Sequence, residues 1–317
     1  MGGGYQTMNL FPIMPPNDVE AMEDYQQLID FDSQSLIKTG DWFSRSDFSA
    51  LKKRPIYIDS SRVGMKTSDR HHWYARMACD SLNSPSPIRN WYQSKHRATL
   101  ENSAFFEKSP KTALALRKYI ASQFRPTAAT AIYAMFNATS VYDPCGGWGD
   151  RLAGAMAKGI DYHCRDTNPL VLAGYAAMQQ MFPHKNKVSF EYEGAEINAP
   201  QGSYDLVFTS PPYWKAEKYQ GEQSSHLKYK KFDEWLDKFL FTMLDNAWSV
   251  LKPNGYMAIN ISDIYGNHTN NRIVAPLLDF FSSDDPYVIG YRMAKRINSK
   301  SNESGIFCEP IVIVQKT

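Results

Sequence analysis

The sequence predicts an α/β fold built on a doubly wound, mostly parallel sheet, and three features point to it. After Asn137 short apolar runs alternate with amphipathic helical stretches, the rhythm of strands joined by crossover helices. A glycine-rich turn closes the first of these strands, in "VYDPCGGWGDRL". A later strand, "YDLVFTS", runs straight into two consecutive prolines. With 317 residues, 43% of them hydrophobic and 21% charged, the chain can bury a sizeable core and is not globally disordered.

The elements follow in order. A proline-rich lead (Pro12, Pro15, Pro16) precedes a helical pattern from Asp18 to about Ile37, with Asn17 or Asp18 available as its N-cap. From Asp41 to Asn102 the chain reads as irregular, with turn signals at Ser84-Pro85-Ser86-Pro87 and one short strand, "RPIYIDSS". A helix "SPKTALALRKYIASQF" starts at Ser109, and "PTAATAIYAMF" follows Arg125 as a second. Strand "SVYDP" leads to helix "DRLAGAMAKG", and strand "DYHCRD" to helix "PLVLAGYAAMQQM". Strands "VSFEYEGA" and "YDLVFTS" come next, then helix "FDEWLDKFLFTMLDNAWSVL" and strand "GYMAINIS". The last two strands, "YVIGYRMAKRI" and "FCEPIVIVQK", are close enough to form an antiparallel hairpin at one sheet edge.

A net charge of +2 hides an asymmetry. Between Arg45 and Arg125 there are 16 Lys+Arg against 6 Asp+Glu, while the remainder is acidic. A basic segment is the footprint of a polyanion partner, and Trp73, Tyr74, Trp91 and Tyr92 within it are able to stack on bases. The plain alternative is a solvated surface balanced in space by the rest of the chain. Cys79, Cys145, Cys164 and Cys308 lack CxxC spacing, so neither a zinc site nor a disulfide framework is expected. His71 and His72 have no third ligand at metal spacing and read as surface or phosphate-contacting residues; no metal site is expected. No apolar run approaches the roughly 18 to 20 residues of a membrane span, and a signal-peptide layout is missing, so a soluble intracellular protein is expected.

Two motifs carry chemistry. The strand ending in Asp143 is followed by Pro144, Cys145 and the glycines Gly146, Gly147 and Gly149, with a helix opening at about Asp150. Such a turn lets a ligand approach the backbone, and the helix start offers free N–H groups. Asp166 and Thr167, in "RDTNP", end the second strand about twenty residues on, where an acid can bind ribose hydroxyls. Glu193 and Glu196 end the third, where a purine edge would lie. Each acid alone is a solvated strand end; the ordered set points to a nucleotide-like cofactor. In the second motif, Ser210-Pro211-Pro212-Tyr213 stands at the carboxyl end of a strand, where open α/β sheets place their ligands. Two prolines cannot continue the ladder, so the segment is a rigid turn.

On these residues the chain resembles the amino-methyltransferases that modify N4 of cytosine or N6 of adenine in DNA. Their donor motif is similar to Asp143-Pro144-x-x-Gly147-x-Gly149, and their catalytic motif, [DNS]-P-P-[YFW], is matched by Ser210 to Tyr213. "CEPIVIVQK" resembles their edge hairpin and "LKPNGYMAINI" their penultimate helix–strand junction, so the likeness covers about Ser109 to Thr317. Cys145 stands where that family usually has Phe, and Asp150 where Thr or Ser is common.

The resemblance implies a seven-stranded class I methyltransferase sheet with an antiparallel edge hairpin over residues 106–317. Residues 1–105 are then the basic region left for nucleic-acid recognition. It implies S-adenosylmethionine as cofactor, held around Asp143, Pro144, Cys145, Gly146, Gly147, Gly149, Asp166, Thr167, Glu193 and Glu196. Ser210, Pro211, Pro212 and Tyr213 are the implied catalytic residues. The Ser210 hydroxyl and the Pro211 carbonyl would accept the hydrogens of an exocyclic amine while Tyr213 stacks on the base. Serine at the first motif position leans toward cytosine N4 over adenine N6, and DNA is favoured over RNA. An RNA base amino-methyltransferase and a non-catalytic nucleic-acid-binding subunit are the competing readings. The loop carrying Lys215, Lys218, Lys228, Lys230 and Lys231 would close over the base, hold phosphates or stay solvated.

Overall fold

A computed structural model describes residues 10–81, 84–102, 120–266, 269–293 and 305–317. Among these residues nine strands share one sheet: β1 (Ile37–Thr39), β2 (Lys53–Ile58), β3 (Ser140–Asp143), β4 (Asp161–Arg165), β5 (Val188–Glu191), β6 (Tyr204–Thr209), β7 (Leu251–Asn260), β8 (Tyr287–Tyr291) and β9 (Glu309–Gln315). Their spatial order is β1-β2-β8-β9-β7-β6-β3-β4-β5. The run from β7 to β5 is parallel throughout, and β9 enters antiparallel between β7 and β8. The α/β class and the parallel core are as the sequence predicts. Residues 311–314 of β9 have no exposed surface, which is why that strand reads as a continuous apolar run instead of an alternating one.

The closing pair β8–β9 is antiparallel as expected, yet it is not the edge. Strand β2 pairs in parallel with β8, and β1 closes the sheet beyond it. The apolar β8 would otherwise present an open row of backbone donors and acceptors. Segments on both sides of residue 105 therefore share one sheet.

Six helices matter for the site: α1 (Asp18–Asp30), α2 (Met65–Met77), α3 (Pro126–Met135), α4 (Asp150–Lys158), α5 (Pro169–Met181) and α6 (Thr242–Ser249). Asn17 caps α1 in a reciprocal box with Glu20. The helix stops at Asp30, short of the expected Ile37, because a 3-10 turn (Ser33–Leu36) and β1 take over. The long helical pattern before β7 is present as Phe232–Trp235, a π turn Leu236–Phe241 and α6. The helix expected from Ser109 lies outside the described residues as far as residue 119; residues 120–124 are not helical. No helix of the described residues is long and apolar enough to cross a membrane.

The stretch from 41 to 102, expected to be irregular, holds α2 and two shorter helices, Pro87–Tyr92 and Ser94–Glu101. Helix α2 escapes a hydrophobic-pattern reading because its buried face is largely polar: Thr67, Ser68, Asp69, His72 and Arg76. Each finds at least one partner, although Arg76 Nε has none among the described residues. Asp24 of α1 accepts the N–H groups of Gly64, Lys66 and Thr67 at 3.0, 2.7 and 3.1 Å, capping α2 from a neighbouring helix. Arg76 ion-pairs with Asp69 and donates to the Gln123 carboxamide oxygen at 2.6 Å. Ser68 and Gln123 both donate to the buried Asp150 carboxylate at the start of α4.

His72 corrects the surface reading. It is fully buried, with its ring nitrogens 3.3 Å from the Ser68 carbonyl and 3.2 Å from that of Val171, and burial lowers its pKa to about 4. The ring fills a slot left by two glycines: a Cβ on Gly149 or Gly174 would fall 2.7 or 2.4 Å from it. His71 is also packed inward, against Met181 and Phe182. Trp73 and Trp91, expected as stacking surfaces, are buried with Ile13 and Met77 in a small satellite core; Tyr74 and Tyr92 are exposed.

Two outcomes follow from this packing. Gly174→Ala overfills the slot and lowers stability by about 1–3 kcal/mol in urea unfolding, and the loss shrinks when His72→Ala is combined with it. Burial raises the Asp150 carboxyl to about 7, against lowering hydrogen bonds from Ser68 and Gln123. A raised folded-state pKa gives stability that is full below the unfolded value near 3.8 and is lost as pH rises toward 7. Asp150→Asn keeps the acceptor oxygen and removes the titration. Its stability, measured from pH 4 to 8, therefore falls less across that window than the wild type's, by about 3–4 kcal/mol.

Candidate active site

The glycine turn is shaped from behind. Asp143, at the end of β3, is completely buried, and one of its oxygens accepts from Arg151 Nε at 2.6 Å and from the Tyr162 hydroxyl. Its other oxygen accepts the Cys145 N–H at 3.2 Å, and Arg151 also donates to the Cys145 carbonyl. Asp143 thus holds the turn and does not line the cavity in front of it. Gly146 is packed so closely that a Cβ would lie 2.7 Å from the Tyr175 hydroxyl oxygen. Gly147 takes the left-handed conformation, φ 61°, and turns its N–H toward Asp166 Oδ2 at 2.7 Å.

The cavity before this turn is lined by Pro144, Cys145, Gly147, Asp166, Thr167, Glu193 and Glu196, so seven of the ten residues expected to hold a cofactor converge there. Asp166 also accepts the Asn168 N–H at 2.8 Å; burial raises its carboxyl to about 6, partly offset by these two backbone donors. At neutral pH it is largely an anion with lone pairs to spare. Glu193 ion-pairs with Arg165 at 3.2 Å and is partly exposed. Glu196 is buried and ion-paired with Lys228, and Tyr229 donates to the same oxygen at 3.3 Å.

Two polar atoms in this lining have no hydrogen-bond partner among the described residues: Glu196 Oε2 and Asn168 Nδ2. Asn168 spends its carbonyl oxygen on capping α5, where it accepts from Leu170, which leaves the buried amide N–H groups unused. A buried acceptor and a buried donor without partners are costly, and a ligand with both donors and acceptors would satisfy them. Residues around this cavity therefore fit a polar, hydroxyl-bearing heterocyclic cofactor. Among the described residues no group of three His, Cys, Asp or Glu side chains could hold a metal ion.

A second cavity adjoins the first. Strand β6 delivers the chain to Ser210, Pro211, Pro212 and Tyr213, and Trp214 then reverses it in a left-handed conformation, φ 47°, unusual for a bulky residue. The reversal sends residues Glu217–Lys218 into an antiparallel pair with Asp80–Ser81. Ser210, Pro211 and Tyr213 line the second cavity with Asn260, Glu217 and Glu309, while Pro212 faces the first. The Tyr213 hydroxyl donates to the Asn260 carbonyl at 3.4 Å. Burial pushes this phenol's pKa well above its ordinary value, with Glu309 adding and the Ser210 hydroxyl opposing.

The two cavities share Gly147, Trp148, Ser210 and Tyr219. Trp148, Asn168, Glu217 and Tyr219 were not singled out by sequence. Trp148 and Asn168 sit inside "VYDPCGGWGDRL" and "RDTNP" without a pattern of their own, and Glu217 and Tyr219 lie in a loop whose clearest sequence signal is its lysines. Of those lysines, Lys228 turns inward to Glu196, and Lys215 donates to the Lys230 carbonyl while lying 4.4 Å from the Trp214 ring centroid.

Residues 204–317 match the family model of N6/N4 methyltransferases, described as DNA methylase. No curated protein matches the chain. Among solved structures, an rRNA methylase from Streptococcus thermophilus is 14% identical, with 62% of this chain and 99% of that chain covered, at a TM-score of 0.40. An S-adenosylmethionine-dependent O-methyltransferase from Thermotoga maritima is 11% identical, with 65% and 70% covered, at 0.42. The 1,6-didemethyltoxoflavin-N1-methyltransferase of Burkholderia thailandensis is 15% identical, with 75% and 95% covered, at 0.39. The family match starts at β6, contains the Ser210–Tyr213 turn and ends with β9.

Proposed function

We propose that this protein transfers a methyl group from S-adenosylmethionine to an exocyclic amino group of a base in DNA, cytosine N4 in preference to adenine N6. The observation that carries the reading is the junction of two cavities at Ser210, one in front of the glycine turn with polar atoms unsatisfied among the described residues, the other beside the Ser-Pro-Pro-Tyr turn. Asp166 suits ribose hydroxyls, and the free oxygen of Glu196 with the free amide of Asn168 suits a donor–acceptor base edge. Thr167, Pro144 and Cys145 complete the wall. When bound, S-adenosylmethionine supplies an electrophilic methyl group on a positively charged sulfur.

The rest is the work of the chain. An exocyclic amine is a poor nucleophile because its lone pair is delocalised into the ring. Acceptors for both N–H groups favour a pyramidal nitrogen with an available lone pair, and the Ser210 hydroxyl and Pro211 carbonyl are those acceptors. The buried Pro211 and its neighbour Pro212 hold them without reorganisation. Tyr213, anchored at Asn260, offers a ring for the base, a contact of ~1–3 kcal/mol. A duplex target must first be flipped out of the stack. The preference for DNA rests on the family match, and the lean to cytosine rests on serine at position 210.

Tritiated methyl transfer to matched DNA and RNA, followed by digestion and identification of the labelled base, tests the proposal. Label in N4-methylcytosine of DNA is expected. Label confined to RNA overturns the substrate, and no label together with no donor binding by calorimetry overturns the enzyme. Ser210→Ala lowers kcat by about 10²–10³-fold with donor affinity nearly unchanged. Asn168→Asp keeps the capping oxygen but loses the amide, and weakens donor binding about tenfold in calorimetry; an unchanged Kd removes Asn168 from the donor site.

A further inference from the structure

Two of the four residues at the boundary between the cavities are aromatic. The Trp148 and Tyr219 rings lie with centroids 5.5 Å apart and planes at 50°. A chain of hydrogen bonds fixes both. Trp148 Nε1 donates to the Ser122 carbonyl at 2.9 Å, and the N–H and hydroxyl of Ser122 donate to Glu217 Oε1 at 2.8 and 3.1 Å. The Tyr219 hydroxyl donates to the other oxygen of Glu217. Glu217 is only 7% exposed, and its backbone is pinned by the short pair with Asp80–Ser81. A buried carboxylate is retained at a cost unless several donors meet it, and among the described residues the Ser122 N–H, the Ser122 hydroxyl and the Tyr219 hydroxyl, from the groups that set the two rings, do so.

This inference rests on the donor and target assignment proposed above. A methyl group passing from one cavity to the other must cross where they meet, so the positively charged sulfur comes to the boundary that Trp148 and Tyr219 form. An aromatic face attracts a cation and has no such attraction for a neutral thioether. We propose that the Trp148–Tyr219 pair is a charge-selective wall: it favours the sulfonium donor over the neutral demethylated product, S-adenosylhomocysteine. Glu217 is its positioning residue, acting through Ser122 and Tyr219. Product release sets the turnover of many transferases, and a wall that loses its attraction once the methyl has left assists that step.

Calorimetric Kd values for S-adenosylmethionine and S-adenosylhomocysteine, measured on the full chain, test this without reference to turnover. Tyr219→Leu keeps apolar bulk and removes the ring, and the ratio of product Kd to donor Kd falls about fivefold, through weaker donor binding. Tyr219→Phe keeps the ring but loses the hydroxyl bond to Glu217, and the ratio falls less than in Tyr219→Leu. Glu217→Ala shifts the ratio in the same direction as Tyr219→Leu; an unchanged ratio there overturns the positioning role. Should Tyr219→Leu fail to fold, Trp148→Leu reads the same quantity from the other ring. A preserved ratio in the leucine variant, or an equal loss of affinity for both compounds, overturns the wall. Wild-type protein that binds neither compound overturns the donor site itself, and the wall with it.

Discussion

A fully buried carboxylate is tolerable only when it is paired and its lone pairs are met, and Asp143 satisfies both conditions. Arg151 supplies the opposite charge from the first turn of α4, the Tyr162 hydroxyl reaches across from β4, and the Cys145 N–H closes back on the same side chain. Because Arg151 also holds the Cys145 carbonyl, this one pair fixes the end of β3, the glycine turn and the start of α4 relative to each other. The guanidinium also lies 5.8 and 5.9 Å from the Phe124 and Phe208 ring centroids and is almost wholly buried. Loss of either partner leaves an uncompensated charge in the core, a cost of about 3–5 kcal/mol for pairs of this kind. The turn that exposes Gly147 N–H to Asp166, and with it the wall of the first cavity, depends on that pair remaining intact.

A second constraint ties the amino-terminal elements to the same place. Helix α2 meets α4 and α5 through a polar face, and its imidazole at position 72 occupies space that only glycine at 149 and 174 can leave open. Asp24 caps α2, and Asp150 receives Ser68 and Gln123, so the network is closed by hydrogen bonds instead of apolar burial. Such a network is less forgiving than a hydrophobic contact, since each group left without its partner costs desolvation energy. Strands β1 and β2, by covering β8, add a backbone reason for the same attachment.

The two cavities gain their relationship from these supports. Gly147 and Trp148 come from the turn that Asp143 shapes, while Ser210 and Tyr219 come from the β6 turn and the reversal at Trp214. Glu217 joins the two sets through Ser122 and Tyr219. Carboxylates line both cavities, but among the described residues the unsatisfied Glu196 oxygen and Asn168 amide belong to the first, while Pro211 and the Tyr213 ring belong to the second.

Local signals in the chain determined a good deal. Period and punctuation after Asn137 specify strands and crossover helices, because a sheet buried on both faces demands continuous apolar runs there. Glycines at fixed positions announce a turn that needs positive φ and close approach, and two prolines announce a rigid stop at the end of a strand. Only the tertiary structure decided the rest. It moved Asp143 from the cavity wall to the foundation of the turn, put His72, Trp73 and Trp91 inside, and turned Lys228 onto Glu196. It also brought Asn168, Glu217, Tyr219 and Trp148 to the site from three separate stretches. The reason is physical: periodicity reports burial of apolar surface, whereas a polar group is buried according to the partner it finds, and that partner is distant in sequence.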